Sequence, residues 1–251
     1  MDATDSVALV TGAGRGIGAA IAAELARRGH PVAVCDLDAD AAATVAGELA
    51  AAHGVKTMPV RADIADSVQV RAAAAQVSAG LGPVAVLVNN AAIDVIERFV
   101  DNTEETWDKI IGVNLRGTIT MTRAVLDEMI EHERGRIIHI ASDAGRIGAS
   151  GEVVYSATKG GIIAFGKALA REVARHGITV NSVCPGPTDT ALLGQVADYS
   201  QRMYDAVVRS IPLRRIAQPA DIAGVVGFLA SDAAAYMTGQ TLSVSGGISM
   251  V

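Results

Sequence analysis

The chain alternates two hydrophobic rhythms. Short runs of β-branched and other apolar residues, such as Val84-Ala-Val-Leu-Val88, recur between alanine-rich stretches whose apolar positions return at helical spacing. This is the pattern of repeated βαβ units around a parallel sheet. It predicts strands near 6–11, 31–36, 55–60, 84–89, 136–141, 178–184 and 240–244, and helices near 16–29, 39–52, 66–80, 104–131, 153–176 and 219–230. Strands that are apolar at every position are covered on both faces, so the expected fold is α/β, a doubly wound (Rossmann) seven-stranded parallel sheet with helices on both sides.

No Pro/Ser/Gly-rich linker interrupts the 251 residues, so residues 1–251 read as a single domain. The alternation fails once. Pro185-Gly-Pro187 stops a strand, and the stretch at about 188–215 carries only scattered apolar side chains before Pro219. Insertions after the carboxyl end of a strand in an open α/β sheet cover ligands, so this stretch reads as a substrate lid.

Composition narrows the function classes. Half the residues are apolar and 19% are charged, enough to bury a large core. Twenty-seven acids against 21 bases give a net charge of −6 without a basic block, which argues against nucleic acid as a partner. No window holds the roughly 18 uninterrupted apolar residues of a membrane span. The start, Met-Asp-Ala-Thr-Asp-Ser, lacks the basic region of a signal peptide, so a cytoplasmic protein is expected. The five histidines show no paired metal-ligand spacing, so no metal site is expected. Cys35 and Cys184 are too few for a disulfide scaffold and suit a reducing compartment.

Candidate chemistry begins after the first strand, at Thr11-Gly12-Ala-Gly14-Arg15-Gly16-Ile17-Gly18. Glycines permit the tight turn and let backbone N–H groups and a helix N-terminus face a pyrophosphate. Taken alone the loop is a weak signal, and a plain tight turn is the lesser, competing reading. No lysine precedes Lys56, so a P-loop for ATP is disfavoured. Asp36 ends the second strand, where a carboxylate accepts hydrogen bonds from both hydroxyls of an adenosine ribose and repels a 2′-phosphate. Arg15 pulls the other way, because a guanidinium in this loop pairs with that phosphate. Weighing the two, NAD is the expected cofactor; the competing reading of Asp36 is a helix cap.

Tyr155 and Lys159 stand at i and i+4, on one face of a predicted helix. A phenol of pKa about 10 is a poor base at neutral pH. A cation about 5 Å away, at an effective dielectric of about 20, favours the phenolate by about 3 kcal/mol, or about two pKa units. Ser142 lies just past the Ile137–Ala141 strand, at the carboxyl end where doubly wound sheets build their sites. Asn114 sits inside an apolar helical stretch, where its amide needs partners and could simply satisfy a neighbouring backbone group.

Together these residues resemble the short-chain dehydrogenase/reductase family across essentially the whole chain. The resemblance rests on Thr11-Gly-x-x-x-Gly-x-Gly18, Asp63-Ile64, Asn89-Asn-Ala-Ala92, Asn114, Ser142, Tyr155-x-x-x-Lys159 and Pro185-Gly-Pro-Thr-Asp-Thr190, in family order. It implies a strand order 3-2-1-4-5-6-7 and a catalytic tetrad of Asn114, Ser142, Tyr155 and Lys159. In that tetrad Tyr155 is the general acid/base, Ser142 orients the substrate oxygen, Lys159 lowers the Tyr155 pKa and binds the nicotinamide ribose, and Asn114 holds a water leading to Lys159. The cofactor contacts it implies are Gly12, Arg15, Gly16, Ile17 and Gly18 at the phosphates, Asp36 and Leu37 at the adenosine ribose, Asp63 and Ile64 beside adenine, and Asn90 near the ribose. Pro185, Gly186, Thr188 and Thr190 would hold the nicotinamide end. Ala92 stands where many members have glycine.

The implied reaction is hydride exchange between a secondary alcohol and a ketone with NAD. The lid supplies Ala191, Leu192, Leu193, Val196, Tyr199, Met203, Tyr204 and Val207, with Ile93, Val95 and Ile147 beside them, an apolar cover suited to an aliphatic or alicyclic alcohol. Within the family, the segments around Ser142–Tyr155, Val183–Leu193 and Ser243–Met250 look most like a dehydrogenase of an alicyclic 3-hydroxyacyl-CoA such as 2-hydroxycyclohexanecarboxyl-CoA. Arg146, Arg202, Arg209, Arg214 and Arg215 then either meet the CoA phosphates or form a solvated face. The alternatives are a 3-oxoacyl-carrier-protein reductase using NADPH and a non-catalytic NAD-binding sensor or scaffold. The resemblance also implies a homotetramer formed by the helices at 104–131 and 153–176, with Ile163 and Phe165 as candidate exposed contacts. In the implied strand order, Cys35 and Cys184 are four strand spacings apart, about 19 Å, and should be free thiols.

Overall fold

A computed structural model describes residues 6–251, apart from the side chains of Leu192, Gln195, Val196, Ala197 and Met203. The leader reading of the first five residues and the placement of Leu192, Val196 and Met203 in the lid lining therefore lie outside the described residues. Seven strands form one parallel sheet: β1 (Val7–Thr11), β2 (Val32–Asp36), β3 (Thr57–Arg61), β4 (Val84–Asn89), β5 (Gly135–Ile140), β6 (Ile178–Pro185) and β7 (Thr241–Val244). Their order is β3-β2-β1-β4-β5-β6-β7, as expected. Every residue of β1, β4, β5 and β6 is buried, and β1 and β4 accordingly read as apolar runs up to their last residue.

Side chains alternate between two cores, because successive residues of a strand point to opposite faces. Ala8, Val10, Val86 and Val88 join Ala22 and Leu25 of α1 (Gly16–Arg27), Ala46 and Leu49 of α2 (Ala39–His53), and Ile222 and Val226 of α10 (Pro219–Leu229). Val7, Leu9, Val84 and Leu87 join Val70 and Val77 of α3 (Ser67–Leu81), Met121 and Val125 of α5 (Thr118–Glu131), and Leu169 and Val173 of α7 (Val153–Val173). Cys35 and Cys184 are free and buried, on β2 and β6, four places apart in the sheet.

Three expectations change. The single helix expected over 104–131 is α4 (Glu104–Ile111), a π-helical segment (Gly112–Gly117) and α5. Wide π turns cluster at functional sites, and this one carries the buried Asn114. The 188–215 stretch is not irregular: it contains α8 (Ala191–Tyr199) and α9 (Gln201–Ser210), and the short α6 (Ala144–Ile147) follows β5. Their apolar positions are too few or too short in run for periodicity to register. Finally, Ile163 and Phe165 are not exposed. Ile163 packs on Ala141, Ile162 and Cys184, and Phe165 lies with its ring centre 5.6 Å from that of the buried His139.

The two ends of the lid segment are tied. Asp189 N–H donates to Ala217 O at 2.8 Å, Ala217 N–H donates to Pro187 O at 3.0 Å, and Leu213 N–H donates to Gly246 O at 3.0 Å. Among the described residues no helix is long and apolar enough to cross a membrane.

Candidate active site

The loop between β1 and α1 owes its shape to glycine. Gly12 and Gly16 have φ of +61° and +56°, a left-handed region that side chains disfavour. At Gly18 it is space that matters: a Cβ there would stand 2.1 Å from Gly12 O and 2.5 Å from Asn90 Nδ2. The first turn of α1 thus rests directly on the backbone of its own entry loop. Asn90 Nδ2 donates to Thr11 O at 2.9 Å and Gly12 O at 3.0 Å, and Thr11 Oγ1 accepts the N–H groups of Asn90 and Ala91 at 3.0 and 3.1 Å. Both donors of the Asn90 amide are therefore spent on bracing the loop.

Asp38, Asp66 and Thr103 cap α2, α3 and α4, but α1 has neither a side-chain cap bond nor an acid in its first turn. Its free N–H groups and partial positive charge suit an anion. Arg15 is exposed and extended at the cap position, while Ile17 packs on the core. A pyrophosphate fits this cradle.

Asp36 ends β2 beside the loop. Its carboxylate accepts the N–H groups of Gly14 at 2.8 Å and Asp38 at 3.0 Å, and both oxygens keep lone pairs for further donors. The exposed Leu37 follows it. After β3, Asp63 turns the chain by accepting Ala65 N–H at 2.9 Å. Ile64 is mainly a core residue, packed so closely that a Cβ on Gly117 would stand 2.9 Å from its carbonyl oxygen. On the other side of α1 runs the chain leaving β6. A Cβ on Gly186 would lie 2.6 Å from that of Ser245, Thr188 Oγ1 donates to Gly186 O at 2.9 Å, and the Thr190 methyl lies 3.5 Å from the place of a Gly16 Cβ. Pro185 to Thr190 thereby reach the phosphate loop.

The predicted tetrad assembles at the carboxyl end of β5. Lys159, one turn after Tyr155 on α7, is buried, lies 5.5 Å from the Tyr155 ring centre, and donates from Nζ to Ile140 O at 2.8 Å. Ser142 follows β5, accepts Ala144 N–H at 3.1 Å, and faces the Tyr155 phenol closely enough to favour its ionised form. Asn114 is fully buried: its Oδ1 accepts Ile93 N–H at 2.9 Å, and its Nδ2 donates to Ile93 O at 2.9 Å and Thr158 Oγ1 at 3.4 Å. Its side chain clamps the loop after β4, which is the bland role considered for it from sequence. The sequence also gave no warning of Gly145 on α6, where a Cβ would stand 2.6 Å from the Lys159 carbonyl carbon. That glycine lets α6 close against α7 at the lysine.

Electrostatics here correct one expectation. The Tyr155 pKa is raised, not lowered, first by burial and then by the carboxyls of Asp94 and Glu152, with Ser142 pulling the other way. Lys159 is turned to the Ile140 carbonyl, and burial lowers its own pKa to about 8. The expectation placed a cation near the phenol and left out desolvation, which costs the phenolate more.

Asp94 and Glu152 were missed in the sequence, since two isolated acids in different segments have no spacing to mark them. Burial raises Asp94 to about 6. Burial, then the nearby Asp94, raises Glu152 to about 7. A carboxyl whose folded pKa is raised contributes stability that is complete below its unfolded pKa and lost as pH climbs through the folded value. For Glu152 the loss falls between about 4.5 and 7. Glu152→Gln is therefore expected to be more stable than the parent at pH 8 by about 2 kcal/mol, after discount for partial exposure, and nearly neutral at pH 4. Urea midpoints at the two pH values check this, and equal differences at both would refute it.

The arginines considered for CoA are largely engaged. Arg146 donates to Ser243 Oγ at 2.8 Å, Arg215 is paired with Asp221, and Arg214 donates to Arg209 O at 3.2 Å. Arg202 and Arg209 keep exposed side chains on α9.

A glycine cradle at the first β–α turn, with a half-buried serine and a buried tyrosine and lysine across the sheet's carboxyl edge, defines a nicotinamide-dependent oxidoreductase of the Rossmann class. Residues 12–249 match the family model described as enoyl-(acyl carrier protein) reductase. The chain is 40% identical over 243 residues to a 3-oxoacyl-[acyl-carrier-protein] reductase of Staphylococcus aureus, covering 97% of this chain and 98% of that one. It is 39% identical over 254 residues to the human (3R)-3-hydroxyacyl-CoA dehydrogenase, covering 98% and 96%. Nodulation protein G of Azospirillum brasilense is 39% identical over 246 residues, covering 98% of each chain. The protein belongs to the short-chain dehydrogenase/reductase family and is an oxidoreductase acting on CH–OH groups.

Proposed function

We propose that the protein is an NAD-dependent dehydrogenase that interconverts a 3-hydroxyacyl thioester and its 3-oxo form. An alicyclic CoA thioester such as 2-hydroxycyclohexanecarboxyl-CoA lies within this class. The observation that carries the reading is the buried Tyr155 phenol, with Ser142 facing it and Lys159 Nζ 5.5 Å from its ring centre. The thioester class is supported by two relatives whose names share the 3-oxoacyl/3-hydroxyacyl couple.

Gly12, Arg15, Gly16, Ile17 and Gly18 would hold the dinucleotide phosphates, Asp36 and Leu37 the adenosine ribose, Asp63 and Ile64 the adenine, and Pro185, Gly186, Thr188 and Thr190 the nicotinamide end. Asn90 would serve this site through the loop it braces. The bound nicotinamide supplies the hydride acceptor or donor. In reduction Tyr155 gives its hydroxyl proton to the substrate carbonyl oxygen, and in oxidation the phenolate takes it back. Ser142 holds the same oxygen by a hydrogen bond. Lys159 stabilises the phenolate and binds the nicotinamide ribose, and Asn114, beside Thr158, is assigned the water that refills Lys159 with protons. Exposed Ile119 and Val153, on α5 and α7, support a homotetramer built through those helices, and a cytoplasmic location is proposed from the sequence alone.

NAD is favoured because the Asp36 carboxylate is fixed beside Gly14, where a 2′-phosphate would meet its charge. The second reading, an NADPH-dependent 3-oxoacyl-carrier-protein reductase, draws on the exposed Arg15 and on the relative from Staphylococcus aureus. Absorbance at the NADH band, with a panel of 3-hydroxyacyl-CoA thioesters and each dinucleotide, separates them. Asp36→Ser is expected to lower the NAD:NADP ratio of kcat/KM about tenfold or more, about 1.4 kcal/mol. An unchanged ratio removes the assignment.

A further inference from the structure

Asp94 and Glu152 reach the Tyr155 phenol from two segments that are built together. Asp94 lies in the loop after β4, next to Ile93, whose backbone Asn114 clamps, and Glu152 immediately precedes α7. Glu97 N–H donates to Gly151 O at 3.1 Å, and an Ile96 methyl lies 3.4 Å from the place of a Gly151 Cβ, so the segments form one wall.

Neither acid is neutralised. Asp94 is only 9% exposed; its Oδ1 accepts Val95 N–H at 2.8 Å, and its Oδ2 has no hydrogen-bond partner among the described residues. The Glu152 carboxylate makes no hydrogen bond or ion pair there either. Lys159, whose Nζ donates to Ile140 O, acts on Asp94 through space without a salt bridge, and Arg98 and Arg146 are bound to Asp101 and Ser243. Both acids nevertheless act on the phenol through space, as do the neighbouring Ser142 and the buried Cys184 of β6.

We infer that Asp94 and Glu152 are specificity-determining residues that make the pocket beside Tyr155 accept an uncharged acyl derivative, such as a thioester, and reject the free carboxylate of the same hydroxy acid. This rests on the dehydrogenase reading above. In a 3-hydroxy acid the carboxyl carbon is two bonds from the reacting carbinol, so once Tyr155 holds the hydroxyl, the carboxylate enters the field that the two acids already exert on the phenol. Like charges in a partly desolvated site repel strongly. Esterification to a thiol removes that charge and leaves the reacting carbon unchanged. With values of about 6 and about 7, both acids are largely ionised at pH 8.

The test uses the full-length protein at pH 8 and two probes: free 3-hydroxybutyrate, and its N-acetylcysteamine thioester, which lacks the phosphates of CoA. In Glu152→Gln the thioester:acid ratio of kcat/KM is expected to fall at least tenfold, with a similar fall in Asp94→Asn. Phenolate absorbance, with Tyr155→Phe as the blank for the other tyrosines, should show Tyr155 ionising at lower pH in both variants. A ratio within threefold of the parent in both variants, with the thioester turned over, overturns this inference and leaves the dehydrogenase reading standing. Failure of the parent to oxidise any hydroxyacyl probe with either dinucleotide overturns that reading, and this one with it.

Discussion

Tyr155→Phe is expected to lower kcat by about a thousandfold, within the range of a lost general acid/base, while dinucleotide affinity is largely kept. The substitution removes one oxygen from a buried ring and leaves the ring's packing in place. What disappears is the hydroxyl that faces Ser142, the group proposed to exchange the substrate proton. The raised phenol pKa adds a directional signature. A phenol protonated at neutral pH is ready to donate, so reduction needs no prior ionisation. Oxidation needs the phenolate, and its rate should climb with pH across the range where the parent is stable. Steady-state kinetics in both directions, with dinucleotide binding measured by calorimetry, check both points. A variant that keeps more than a tenth of parental turnover would falsify the role given to Tyr155.

That signature was not legible in the sequence, although the pair producing it was. Tyr155 and Lys159 at i and i+4 announce a shared helix face, and the glycine-rich turn after β1 announces an anion site, because both depend on local spacing. The covered parallel sheet follows from apolar runs buried on both faces, while its strand order comes from the family resemblance. The sign of the Tyr155 shift depends on desolvation and on Asp94 and Glu152, groups brought in by the loop after β4 and the entry to α7. Nothing local connects those segments; the link is a backbone hydrogen bond from Glu97 to Gly151. Asn114 has the same character. Its place in an apolar stretch flagged it, but only the fold shows that both ends of its amide are spent on Ile93. The π turn that carries it keeps a helix-like hydrophobic period and so was indistinguishable from one long helix.

Gly18→Ala carries the second large effect, and its size follows from what its single methyl would meet. At 2.1 Å from Gly12 O and 2.8 Å from the Gly12 carbonyl carbon, the new Cβ would overlap main chain. A flexible side chain could rotate away, but Gly12 is held by the Asn90 bond to its carbonyl, and its own Cβ position lies 2.8 Å from Ala91 Cα. Relief requires α1 to move off the loop, which breaks the Asn90 bonds to Thr11 and Gly12. Overpacking of about 1–3 kcal/mol, with about 1 kcal/mol for each of two lost hydrogen bonds, predicts a loss of about 3–5 kcal/mol. Dinucleotide affinity should fall with it, since the displaced turn is the one whose N–H groups face the phosphates. Gly16→Ala provides the control. It has a left-handed φ but only the Thr190 side chain within 4 Å, so its expected cost is about 1 kcal/mol. Adding Asn90→Ala to Gly18→Ala tests the cause. The methyl also approaches Asn90 Nδ2 at 2.5 Å, and if that contact dominated, trimming Asn90 would restore stability. Because the carbonyl of Gly12 is closer and cannot be trimmed, the double variant is expected to be no more stable than Gly18→Ala alone in urea denaturation. Recovery of the parental midpoint would move the role of Gly18 from backbone contact to side-chain fit.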